Sequence, residues 1–225
     1  MPYKEPTKPL MPEKRIWVHQ IFGLLGDTEL PPLFRDNQKL TLKWCRVNNY
    51  SYRYWDEKSC NQLLKNYPEF QEFYNSVKYP IMRVDIIRFL ILHYYGGLYL
   101  DMDCRPNLTT KLDETYNFAV ANTQTNKQKP YEMEVLYSKP CNHLLTDFIR
   151  YMKTQVIEKD KIKVYDTWKC RYVYHTTGPK ALCRFLKGKE FNTYNLNNPS
   201  YDGDKSMNIT GYEHFISHIS CSYNI

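Results

Sequence analysis

From Ile81 to Tyr95 nearly every position is apolar, too uniformly for a surface helix with one dry stripe. The run is about 15 residues long, longer than an ordinary strand and shorter than the ~20 residues that cross a bilayer. It predicts a helix buried on most sides. Gly96-Gly97 ends it, with one glycine expected in the left-handed cap. Leu98, Tyr99 and Leu100 then read as a short buried strand that stops at Asp101.

The other elements follow from the same reading. Arg15 to Phe22, RIWVHQIF, predicts a first buried strand ended by Gly23. Pro31-Pro32 opens a helix that runs to Asn48, and Tyr50 to Trp55 predicts a second strand. Glu57 to Ser76 has helical spacing broken at Pro68, hence two short helices. This β-α-β-α-α-β start predicts an α/β fold, a Rossmann-like half with a mostly parallel central sheet flanked by helices. Further on, Asn117 to Ala121 and Glu132 to Ser138 are candidate strands, and the polar stretch TQTNKQKP (123–130) between them is expected as a loop at the rim of a site. Asn142 is placed to cap a helix reaching Glu158, with Leu144, Leu145, Phe148, Ile149 and Met152 on one face. Residues 1–14, with four prolines, read as an irregular leader and 15–225 as a single domain.

Composition narrows the classes. A chain of 225 residues suits one compact enzyme domain. The formal charge of +7 is spread over scattered lysines and arginines, which argues against a nucleic-acid partner. The seven cysteines are widely spaced with no C-x-x-C pair, so reduced thiols are expected and no zinc site. No apolar run reaches membrane length and the first residues lack a signal-peptide core, so no membrane span and a cytoplasmic location are expected.

Two charged pairs carry the candidate chemistry. Asp101 and Asp103 are two apart at a strand end, and in extended geometry their side chains leave on one face. Converging carboxylates repel unless a cation sits between them, and such a pair suits a hard divalent ion, Mn²⁺ or Mg²⁺, completed by phosphate oxygens. The alternative is an ordinary turn. Asp85 and Arg88, three apart, share a helix face. They form either a buried structural ion pair or a cleft-facing pair that hydrogen-bonds a polar ligand.

The run VDIIRFLILHYYGGLYLDMDC resembles the core of glycosyltransferases with a DXD sugar-binding region. That group includes the yeast initiating mannosyltransferase and the large clostridial toxin glucosyltransferases. The resemblance implies a GT-A-type nucleotide-sugar domain in which Asp85 and Arg88 contact the donor sugar. It places Asp101 and Asp103 at the metal and the nucleotide diphosphate. It extends to His19, Gln20 and Phe22 at the nucleotide, with Phe22 where tryptophan is usual, and to the Trp55-Asp56 strand ending. In Thr177-Gly178-Pro179, Gly178 opens a helix whose free amides suit the diphosphate; an ordinary helix start is the alternative. Glu132 and Glu134 are acceptor-side candidates. The family's closing histidine and Ser-Trp pair implies His218 as a metal ligand, with Tyr223 in place of the tryptophan, and the segment from His218 to Tyr223 is expected to fold over the bound donor. The implied reaction moves a sugar from a UDP- or GDP-sugar to an acceptor hydroxyl of a glycan, protein or small molecule, with retention. Another metal-dependent nucleotide enzyme, such as a nucleotidyltransferase, and a catalytically silent nucleotide-sugar-binding module are the rivals. Asp202, Asp204, Ser206, Asn208 and Glu213 fall at EF-hand spacing, but Met207 stands where that loop needs glycine, so the match reads as coincidence.

Overall fold

The structure is a computed structural model and describes residues 15–26, 29–106, 108, 111–123, 131–162, 169–197, 206–209 and 212–215. The elements run β1 (Trp17–Ile21), α1 (Pro32–Val47), β2 (Ser51–Trp55), α2 (Glu57–Leu64), α3 (Pro68–Ser76), α4 (Pro80–Tyr95), β3 (Gly97–Leu100) and β4 (Cys104–Pro106). They continue with β5 (Phe118–Thr123), β6 (Tyr131–Ser138), α5 (His143–Lys159), α6 (Lys169–Thr176), α7 (Pro179–Leu186), β7 (Asn192–Asn197), β8 (Ser206–Ile209) and β9 (Tyr212–Phe215). Residues 1–14, 124–130 and 216–225 lie outside the described residues, and with them the expected leader, the rim loop, His218 and Tyr223.

Strand order is β2-β1-β3-β6-β5-β7-β8-β9-β4. The fold class is the expected α/β arrangement, but the sheet is mixed rather than mostly parallel. β1 lies parallel to β2 and β3, and β5 parallel to β7. The long strand β6 runs antiparallel between β3 and β5. The β8–β9 hairpin carries the chain back to β4, pairing His214 with Cys104. Ser206 and Asn208 lie in one strand of that hairpin and Glu213 in the other, which is not the loop of an EF-hand.

Alternation along the strands divides the core. Val18, Leu98, Leu100, Ala119, Ala121, Val135 and Tyr137 face one side with Trp44 and Cys45 of α1. Ile21, Tyr99, Phe118, Val120, Met133 and Leu136 face the other, where α2 to α7 pack. Central strands covered on both faces must be apolar throughout. Helix α4 lies within the second layer and is buried from Val84 to His93, which is why its sequence shows no polar stripe. Phe89 meets Phe148 of α5 edge to face at 4.8 Å between centroids.

The turn from α4 into β3 depends on its two glycines. Gly96 does not take the expected left-handed cap; it sits at φ 65°, ψ −169°, a region open essentially to glycine alone. A Cβ there would lie 2.6 Å from Pro140 Cδ. Gly97 has φ +94° and passes directly over the Trp17 carbonyl, where a Cβ would collide with backbone. Gly97→Ala should therefore cost at least about 3 kcal/mol. By contrast, Gly188→Ala, at φ +77° with open space around it, should cost only about 1–2 kcal/mol. Urea denaturation of the two variants checks the contrast.

Candidate active site

Helix α4 brings Asp85 and Arg88 under the carboxyl end of β3, both 4% exposed. The guanidinium is held on several sides. Its Nε donates to the Val84 carbonyl at 3.3 Å and Nη1 to the Met133 carbonyl of β6 at 2.8 Å. Nη2 pairs with Asp85 Oδ1 at 3.2 Å and Nη1 with Asp101 Oδ1 at 3.4 Å. The cation also lies 4.8 Å from the centre of the Tyr99 ring. Of the two sequence alternatives, the buried ion pair is present, and it is joined to the Asp-x-Asp segment.

Asp85 is clamped from a second direction. Thr177, 92 residues away, donates its hydroxyl to Asp85 Oδ2 at 2.7 Å. Burial raises the Asp85 carboxyl to about 6, against the opposing pull of Arg88 and the Thr177 hydrogen bond.

The Asp-x-Asp segment itself is a turn. The Cys104 amide donates to the Asp101 carbonyl at 3.0 Å, so Asp101 and Asp103 flank a bend instead of sharing an extended strand. It is a turn fed by a buried strand, and its position is fixed by polar side chains. Tyr99, two residues earlier and on the same face, donates its hydroxyl to Asp101 Oδ1. The Asp101 amide donates to the Glu134 carbonyl at 2.9 Å. Gln20 Nε2 reaches the Asp101 carbonyl at 3.4 Å, and Asn37 Nδ2 donates to the Met102 carbonyl at 3.0 Å. Two oxygen-bearing acids at this bend are the donor chemistry a hard divalent cation takes. Among the described residues no group of three His, Cys, Asp or Glu is arranged to hold a metal.

His19 and Gln20, expected at the nucleotide, are part of this support. His19 is wholly buried with both ring nitrogens in use. The Trp55 indole can only donate, so Nδ1 accepts from it at 3.1 Å and the Nε2 proton goes to the Gly96 carbonyl at 2.9 Å. Burial lowers the imidazole to about 3, and it stays neutral. Gln20 is equally buried, and its Oε1 accepts from the Tyr52 hydroxyl at 3.1 Å. Both hold backbone: His19 bonds the Gly96 carbonyl and Gln20 the Asp101 carbonyl. Gly178 donates its own amide to the Val173 carbonyl at 2.9 Å and stands just before the first turn of α7. Phe22 is half-buried just past β1 and edge-on to Phe34 at 6.3 Å.

Glu132 and Glu134 are half-buried on the β6 segment that passes the Asp-x-Asp turn. Sequence reading missed Tyr99, Asn37 and Thr177. Tyr99 was legible from the two-residue period, and Thr177 stood inside the Thr-Gly-Pro triplet. Nothing local marked Asn37.

Residues 35–119 match the family model described as "Glycosyltransferase sugar-binding region containing DXD motif". A protein of Acanthamoeba polyphaga mimivirus, "Uncharacterized glycosyltransferase L373", is 34% identical over 59% of this chain and 52% of its own length. "Inositol phosphoceramide mannosyltransferase 2" of Schizosaccharomyces pombe is 39% identical over 28% of this chain and 19% of its own length. "Mannosyl phosphorylinositol ceramide synthase CSH1" of Saccharomyces cerevisiae is 45% identical over 24% of this chain and 15% of its own. The matches thus span about half of the viral relative and less than a fifth of the two yeast proteins. The solved structure "PaToxG Glycosyltransferase" superposes with a TM-score of 0.54 at 15% identity, covering 76% of this chain and 68% of that one, and shows the GT-A-type fold. The matched residues 35–119 include Asp85, Arg88, Asp101 and Asp103. No helix among the described residues is long and apolar enough to cross a membrane.

Arg88→Met should destabilise the fold by about 3–5 kcal/mol near pH 8, because it leaves a buried carboxylate without its cation. The loss should shrink towards pH 5. The folded Asp85 carboxyl lies above its unfolded value and rises further without Arg88, so its protonation on acidification favours the folded state. Urea midpoints of both proteins at the two pH values test the sign.

Proposed function

We propose that this chain is a metal-dependent glycosyltransferase that moves a sugar from a nucleotide diphosphate sugar to an acceptor hydroxyl with retention of configuration. The observation that carries the reading is the continuity of one polar assembly: Thr177, Asp85, Arg88 and Asp101 are linked beneath the end of β3. A sugar on Asp85 and a diphosphate at Asp101 and Asp103 would lie side by side. Asp101 and Asp103 would hold the divalent ion, Mn²⁺ or Mg²⁺, and the ion supplies Lewis-acid stabilisation of the leaving diphosphate.

The protein's own groups supply orientation. Asp85 accepts a hydroxyl of the donor sugar. Arg88, tied to two carbonyls of the fold, keeps the Asp85 and Asp101 carboxylates at a fixed separation, and pre-organisation of this kind lowers the barrier without moving at the moment of reaction. Phe22 offers its face to the base. The bond from the anomeric carbon to the diphosphate oxygen breaks, the acceptor oxygen bonds that carbon, and the acceptor proton passes to the departing phosphate oxygen. Retention and this proton route are what the family resemblance implies. Glu132 and Glu134 stand on the acceptor side. The two yeast relatives support mannose as one donor sugar to test; their names concern inositol phosphoceramide, which adds a lipid headgroup to the acceptors worth assaying.

Two measurements test the reading. A thermal-shift panel of UDP, GDP and their sugars, with and without Mn²⁺, should give one stabilising pair; ligand at 100 times its dissociation constant adds about 2.7 kcal/mol. Asp103→Asn should abolish the Mn²⁺-dependent part, and an unchanged shift would remove the metal assignment. Asp85→Ala should weaken the nucleotide sugar about tenfold or more while sparing the bare nucleotide, and equal losses for the two would leave Asp85 a purely structural residue.

A further inference from the structure

We propose that Thr177 is a positioning residue for the donor sugar, fixing through its hydroxyl which face of the Asp85 carboxylate the sugar can meet. The inference rests on the reading of Asp85 as a sugar contact and adds to it the group that aims that contact.

Each carboxylate oxygen accepts along two directions. On Asp85, one oxygen is engaged by Arg88 from the same helix and the other by Thr177 from the far end of the chain. A rotation about the side-chain torsion would break one of these bonds or the other, so the remaining acceptor directions are held in place. Thr177 is itself tightly placed. It follows the last residue of α6, and its amide donates to the Val173 carbonyl at 3.0 Å. The next residue is Gly178, where a Cβ would come within 3.0 Å of Tyr174 Cα and 3.2 Å of the Val173 carbonyl oxygen. Helix α7 then starts at Pro179 and anchors to β6, with Cys183 donating its thiol to the Tyr131 carbonyl. The Thr-Gly-Pro triplet therefore serves to present one hydroxyl to Asp85; the glycine amide is spent inside the turn. The hydroxyl also favours the charged carboxylate, opposing the burial that pushes it towards the neutral acid. The other charged groups acting on Asp85 are Arg88, which also favours the carboxylate, and Asp101, which opposes it.

Thr177→Val removes the hydroxyl with little change of shape, and Thr177→Ser keeps it. Binding of the nucleotide sugar selected by the panel and of its bare nucleotide is measured by calorimetry across pH, with each bare-nucleotide affinity as the reference for diphosphate protonation. Thr177→Val should bind the nucleotide sugar about tenfold more weakly at neutral pH, with the bare nucleotide within about twofold of the parent. The sugar-specific part of the affinity should be lost on acidification at a higher pH in this variant than in the parent, because the missing hydroxyl favoured the carboxylate. Thr177→Ser should restore both properties. Parent-like sugar binding by Thr177→Val, equal losses for sugar and bare nucleotide, or no rescue by serine would each overturn the proposal and leave Thr177 a fold residue. Asp85→Ala in the same experiment separates the two ideas: a sugar-specific loss there with a silent Thr177→Val refutes only the positioning role, whereas equal losses in Asp85→Ala refute both.

Discussion

A single buried cation sets the geometry on which the rest depends. Arg88 lies between two carboxylates from different elements and bonds carbonyls of its own helix and of β6. Placing a guanidinium there is costly, since the desolvation of buried ions often exceeds their mutual attraction. Apolar residues would fill the same space at less expense in stability. What the ions add is position: helix α4, the end of β3 and the start of β6 cannot shift independently while all of these bonds hold. The raised Asp85 carboxyl is a sign of the same cost, because two favourable partners do not offset its burial.

The backbone around this cation is held by buried polar side chains. His19 secures the Gly96 carbonyl, Gln20 the Asp101 carbonyl and Asn37 the Met102 carbonyl, and each is wholly buried. A turn of this kind exposes peptide groups that must be satisfied somewhere. Here β1 and α1 satisfy them from beneath, so that the two acids project from a bend with a fixed floor. The His-Gln pair of the first strand thus resembles a ligand motif in sequence while acting on peptide carbonyls.

Much of this was legible before any coordinates. The uniform apolar run predicted a buried helix, and α4 is buried on nearly all sides; the glycine pair predicted its end, and Asp85 and Arg88 were singled out because charge in such a helix must have a partner. Local pattern could not reveal which partners. The ion pair and the ligand contact read as alternatives in the sequence, yet a carboxylate has more acceptor directions than one arginine uses, so the ion pair alone does not decide between them. Sheet direction was also hidden. β6 looks like any buried strand, and only its place between β3 and β5 makes the sheet mixed. Thr177 and Asp85 lie 92 residues apart, a separation at which no periodicity speaks.

The antiparallel entry of β6 has a consequence for chemistry. In a purely parallel arrangement the neighbour of β3 would end where β3 ends, and both would point loops at the same cleft. Because β6 runs the other way, pairing Leu100 with Val135, its early residues continue past the end of β3 as ordered strand. Met133 and Glu134 therefore meet the Asp-x-Asp turn with rigid backbone: one carbonyl takes Arg88, the next takes the Asp101 amide. A loop in the same place would leave these carbonyls to water and the acids to drift. The strand direction that sequence pattern missed is thus what gives the acidic turn its second wall, and it puts Glu132 and Glu134 beside that turn on a rigid element.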